Sequence, residues 1–219
     1  MKLARSLVAA AAVLLALATS SAAVTIDSVG DAFDVAFDGS IETETVAGLS
    51  AAATFTVTAL DGAAGVVTFE IVLRNTTDAS LWQRARVSAI GFDVSSELLR
   101  AAASGLFSSA LRGGRFPNRF GPVDVCAIDN RNNCSGGGSG GLRLGESGSL
   151  TMTLGFIGPI EQLDLTNFGI RWQSLTSHEL RVCDASGTGH GTVPEPAPLA
   201  LLGAATAALA ATRLSPRRR

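Results

Sequence analysis

Apolar and polar residues alternate with period two along most of the middle of the chain, which is the pattern of half-buried strands. Val24 to Val29 opens the series. In Asp31 to Asp38 the alternation puts Phe33, Val35 and Phe37 on one face and Asp34 and Asp38 on the other. Val46 to Leu60 continues it, with Phe55, Val57 and Ala59 facing away from Thr54, Thr56 and Thr58. Asp61-Gly62 is a hairpin signal. It leads into Gly65 to Asn75, where Val67, Phe69, Ile71 and Leu73 share a face and Glu70 takes the polar one. Further strands are predicted at Arg84 to Ser95, Ser149 to Ile157, Ile160 to Trp172 and Glu179 to Asp184. Between Ser96 and Leu111 the period changes. Leu98, Leu99, Ala102, Leu106 and Phe107 suit a short helix, capped by Ser95 or Ser96 and ended at Gly113-Gly114. Pro117 to Glu146 reads as an irregular, glycine-rich segment. The expected fold is therefore mainly β: an antiparallel β-sandwich of about eight strands, jelly-roll-like, with one short helix.

The pattern is different at both ends. Lys2 and Arg5 precede an apolar run, Ser6 to Ala18, and then the small residues Thr19 to Ala23. That is the layout of a secretory signal peptide, 1–23, cleaved between Ala23 and Val24. An uncleaved anchor is the alternative. At the other end, Ala185 to Thr192 (ASGTGHGT) reads as a flexible linker that follows a domain at 24–184. Pro194-Glu195-Pro196 then stands before an apolar run, Ala197 to Thr212, and a basic tail of Arg213, Arg217, Arg218 and Arg219. As a helix, the 16 residues of that run cover roughly 24 Å against a hydrocarbon core of about 30 Å, a marginal transmembrane span. The arginines would stay on the cytoplasmic side.

The ordered trio of motif, span and basic tail closely resembles the PEP-CTERM protein-sorting domain of Gram-negative bacteria. The resemblance covers 193–219 of the chain. It implies recognition of Pro194, Glu195 and Pro196 by an exosortase, an integral-membrane cysteine transpeptidase. It further implies a transient inner-membrane anchor and release or transfer to the cell surface or matrix. These residues would be a processing signal and no catalytic site.

Charge narrows the function classes. Setting aside the two basic residues of the leader, the four of the tail and Glu195 leaves 11 basic against 18 acidic residues in Val24 to Thr192, a net charge near −7. Such a domain is a poor nucleic-acid binder. Its basic residues are all arginine, and it contains no tyrosine.

Candidate chemistry gathers in the central loop. Cys126 and Cys134 lie eight positions apart in a chain expected to be exported, where oxidation favours a bridge. Such a bridge is worth about 2–3 kcal/mol by loop closure. Cys183 is left over; a buried thiol in the last strand, or a pairing of Cys183 with either of the others, stays open. Asp124, Asp129 and Asn130, with Asn132 and Asn133, offer oxygen ligands to calcium. No acidic residue closes the loop at EF-hand spacing, so a solvated Asx-rich turn is the favoured reading. Val125-Cys126-Ala127, Asn133-Cys134 and the Gly136 to Gly141 run, with Leu142 and Gly145, also resemble the "cistern" subgroup of PEP-CTERM proteins. That resemblance implies no activity and makes the Cys126–Cys134 pair its structural hallmark.

An enzyme needs a constellation that is not legible here. The histidines are His178 and His190, with no nucleophile-base arrangement and no phosphate loop to join them. Glu42 and Glu44 read as a solvated edge rather than a glycosidase pair. The expectation is an exported, non-enzymatic surface or matrix protein without a cofactor, structural or adhesive in an exopolysaccharide-rich biofilm. The alternative is a glycan- or calcium-binding surface module. Glycan stacking would expose Trp82, Trp172 or Phe116, whereas the alternation of Trp172 with Ile170 and Phe168 favours core.

Overall fold

The computed structural model describes residues 23–129, 134–136 and 140–194. The leader through Ala22, Asn130, Glu195, Pro196, the apolar run and the four tail arginines lie outside the described residues.

Among the described residues eleven strands form one sheet in which every pairing is antiparallel. They are β1 (Val24–Ile26), β2 (Ala32–Ile41), β3 (Glu44–Asp61), β4 (Val66–Arg74), β5 (Arg84–Val94) and β6 (Leu98–Gly105). The remainder are β7 (Ser109–Phe116), β8 (Gly121–Ile128), β9 (Ser147–Phe156), β10 (Leu163–Ser177) and β11 (Val182–Thr192). The order is β6-β9-β4-β3-β2-β11-β10-β5-β8-β7, with β1 attached to β10. The two outermost strands, β6 and β7, are consecutive in the chain and joined only by 106–108. Arg112 on β7 donates to the Leu98 carbonyl on β6 at 3.1 Å. The sheet thus curls until its ends meet, giving a nearly closed barrel where two separate sheets are expected from the sequence. Curling removes the edges that an open sheet would expose.

Alternation explains the packing. Val35 and Phe37 of β2, Phe55 and Val57 of β3, and Val67, Phe69, Ile71 and Leu73 of β4 are buried, as their period predicts. Phe33, Phe55, Phe69, Phe92 and Phe168 come from five strands and meet across the interior. A register shift after Val57 breaks the alternation, so Ala59 is exposed and Leu60 turns toward the core.

Three expectations are corrected. The stretch Ser96 to Leu111 holds no helix; it contains β6 and the start of β7. A register shift between Leu98 and Arg100 resets the alternation, and alanines at 101–103 mark neither face, so helical spacing arises by accident. Pairing with β9 decides the conformation, since tertiary context overrides weak propensity. The irregular segment also contains a regular strand, β8, whose Cys126 and Ala127 pair with β5 and β7.

The linker is the third correction. Ala185 to Thr192 lies within β11, between β10 and β2, so the domain extends to Thr192 rather than Asp184. Gly187, Gly189 and Gly191 point inward with period two. A methyl at Gly189 would stand 2.7 Å from a Trp172 ring carbon, and one at Gly191 2.7 Å from the Phe168 Cβ. Glycine is used here because the rings opposite fill the space, and the composition that resembles a flexible tether is a packing requirement.

Candidate functional site

The outer face of the sheet over β5, β8, β7 and β10 carries a second, smaller apolar cluster. Ala89, Phe116, Val123, Cys126, Ile128 and Cys134 are buried there, with Leu111 and Phe120 against them. Glycines make the room: a side chain at Gly114 would meet Cys134, and one at Gly169 would meet the Phe120 ring. Cys126 and Cys134 form the expected disulfide. Of the pairings left open, Cys183 takes none; it is exposed and free near the start of β11.

Arg171 fastens the loop to the sheet. It projects from β10 between Ile170 and Trp172, on the outward face, yet is only 6 % exposed. Its Nε donates to the Ser135 carbonyl at 3.0 Å, and Nη1 to the Gly187 carbonyl at 2.9 Å and to Thr188 Oγ1 at 3.3 Å. Nη2 donates to Ser186 Oγ at 2.7 Å. Burial pushes its pKa down to about 10, so it remains a cation at neutral pH. Alternation correctly places Arg171 outward, but nothing in the local sequence shows that the disulfide loop covers it.

His190 lies flat on Phe120, with ring centroids 4.2 Å apart and planes inclined by 17°. Desolvation on the covered side lowers its pKa below the ordinary 6.5. The unfolded chain therefore binds a proton first as pH falls below 6.5. Stability from neutral His190 is complete above that pH and is lost as pH falls through the lower folded value. NMR titration is expected to give His190 a midpoint below 6.5, and His190→Phe to flatten the acid limb of the stability curve there.

Of the oxygen ligands considered for calcium, Asn130, Asn132 and Asn133 lie outside the described residues, and Asp124 and Asp129 are not drawn together. Asp124 and Asp129 are five residues apart along extended chain, about 16 Å. Asp124 accepts from the Val94 amide at 3.0 Å, and Asp129 lies against Gly140. Among the described residues no three His, Cys, Asp or Glu side chains converge on a metal position. Trp82, Trp172 and Phe116 are all buried, so none forms a stacking platform for sugar rings. Trp82 Nε1 instead donates to the Ala47 carbonyl at 3.0 Å. Asn75, in an N-x-T sequence, is 2 % exposed and donates to the Ala85 and Leu142 carbonyls.

Sequence reasoning missed an arginine-lined cleft at the barrel end where β5 begins. It measures about 490 Å³ and is lined by Arg84, Arg86 and Arg143, with Gln83 and Ser174 beside them. Arg84 and Arg86 share the outward face of β5. Arg143 is far from them in sequence and arrives because Leu142 bridges Val87 in both directions, at 2.8 and 3.0 Å. Ser174 stands at a register shift in β10, with φ of 54°. The two-residue spacing of Arg84 and Arg86 was the only signal in the sequence.

Of the sorting motif, Pro194 is described, exposed, and two residues beyond the end of β11. Ala23 and Val24 stand at the start of β1. Comparison with protein-family models, with curated proteins and with solved structures gave no match.

Proposed function

We propose that this chain is an exported, non-enzymatic β-barrel domain of a Gram-negative bacterium. An exosortase-type transpeptidase would sort it through Pro194, Glu195 and Pro196 to the cell surface or matrix. Its role there is structural or adhesive, in contact with exopolysaccharide. One observation carries the reading. The strands of the barrel run from Val24 to Thr192, so the first begins at the expected cleavage point and the last ends just before the motif. Removing either address would cost the barrel none of its described strands. The Cys126–Cys134 bridge supports an oxidising destination.

Because β11 takes up the segment read as a linker, Pro194 follows the last strand by two residues instead of ending a long tether. The membrane enzyme would meet that end of the domain, where Thr192 pairs with Ala36.

Intact mass of the protein recovered from its host, measured with and without reduction, tests the proposal. A species that starts at Val24, lacks the segment after Pro196 and gains one pair of hydrogens on reduction is expected. Persistence of the chain through Arg219 in every cell fraction would overturn it, and the domain would then be tail-anchored in the envelope.

A further inference from the structure

The cleft at the start of β5 concentrates positive charge on a domain that is otherwise acidic. Its parts are held firmly. The Arg86 guanidinium donates through Nη1 to the Gly140 carbonyl and through Nη2 to Gln173 Oε1, the latter at 2.8 Å. The turn that carries Arg143 is closed in both directions: its amide donates to Glu146 Oε2 at 2.7 Å, and the Glu146 amide to its carbonyl at 3.0 Å. Asn75 ties Leu142 down at 3.2 Å.

Two of the three arginines are left to meet a ligand. Arg84 and Arg143 are exposed, and among the described residues their guanidinium groups make no hydrogen bond. Burial lowers the pKa of Arg86; Asp129 opposes that shift and Arg143 adds to it by repulsion. Like charges brought together raise the energy of the empty cleft and lower it again when an anion enters.

We propose that this cleft binds the carboxylate-bearing sugar units of an acidic polysaccharide. Guanidinium groups take a carboxylate through paired, charge-assisted hydrogen bonds. The remaining lining fits sugar hydroxyls. The Gln83 Oε1 is engaged by the His178 amide at 2.8 Å, which leaves its NH2 as donor, and Ser174 adds a hydroxyl. Ala85 and Leu144 complete the wall with apolar surface for the ring. The net negative charge of the domain works against any polyanion at long range, so the attraction is confined to close contacts inside the cleft. The inference deepens the proposed function, and rests on it only in placing the chain where such polymers occur.

Binding of polygalacturonate to the purified full-length chain in nonionic detergent, followed by titration calorimetry at low salt, tests the inference. Saturable binding is expected, weakened by added salt and absent with fully methyl-esterified polymer. Arg84→Gln with Arg143→Gln is expected to weaken it at least about tenfold, the scale of one lost charge-assisted contact. Arg84→Gln alone, which removes no side-chain hydrogen bond among the described residues, is expected to weaken it severalfold. Arg115→Gln, an exposed arginine on β7, is expected to leave it unchanged. Absence of binding, binding that survives both cleft variants, or equal loss with Arg115→Gln would overturn the proposal. So would saturation of the cleft by inorganic phosphate without any binding of the polymer. Processing in the host is read separately by mass, so either idea can fail while the other stands.

Discussion

Replacing Phe55 by alanine is expected to lower the stability of the domain by about 4 kcal/mol. Phe55 is fully buried on β3 and touches rings from both halves of the curled sheet. Phe33 of β2 stacks on it with centroids 4.9 Å apart, and Phe69 of β4 meets it edge-on at 6.3 Å. Phe92 of β5 and Phe168 of β10 approach it edge-on from the other half, each at 5.6 Å. Removing the ring deletes the contacts that join the two halves and leaves a cavity that rigid strands cannot collapse to fill. Thermal unfolding followed by circular dichroism is expected to show a fall in Tm on the order of 8–16 °C, at about 2–4 °C per kcal/mol for a domain this size. Phe55→Leu keeps most of the volume and is expected to cost roughly a third as much. A loss below about 1 kcal/mol for Phe55→Ala would show that the rings do not form the central contact of the barrel.

Arg171→Met is expected to cost about 3 kcal/mol. Methionine keeps much of the volume but donates nothing to the Ser135 and Gly187 carbonyls or to Ser186 and Thr188. A buried acceptor without its partner loses the full cost of its desolvation. Arg171→Lys is expected to recover only part of the loss, because an ammonium cannot reproduce the planar fork that reaches Ser135 and three consecutive residues of β11. The effect has a local signature that a core deletion lacks. Ser135 directly follows Cys134, so loosening it exposes the Cys126–Cys134 bridge, which is now buried. Faster reduction of the bridge by dithiothreitol under native conditions is expected for Arg171→Met and not for Phe55→Leu. Equal reduction rates in Arg171→Met and the parent would show that the guanidinium does not hold the loop.

The sequence by itself determined the strands whose side chains declare a face. In Asp31 to Asp38 and Gly65 to Asn75, phenylalanine, valine and leucine alternate with aspartate, glutamate and threonine, and burial follows that alternation. The Asp61-Gly62 hairpin was legible for the same local reason, with Asp61 Oδ1 accepting from the Ala64 amide at 3.0 Å. The Cys126–Cys134 bridge was the expected pairing, but Cys183 stayed open as a partner for either until the structure showed it free; the two terminal address patterns stand as expectations. Only the tertiary structure decided the rest. Alanine and glycine have too little side chain to mark a face, so β6 resembled a helix and β11 a linker until β9, β10 and β2 paired with them. Whether the strands close into a barrel or divide into two sheets depends on pairings between residues far apart in the chain, such as Val67 with Leu154. The burial of Arg171 and the meeting of Arg84 and Arg86 with Arg143 arise the same way. Arg84, Arg86 and Arg171 are strand arginines whose roles are set by the segment that comes to lie beside them, and that segment's resting place is not encoded in the period of the strand beneath.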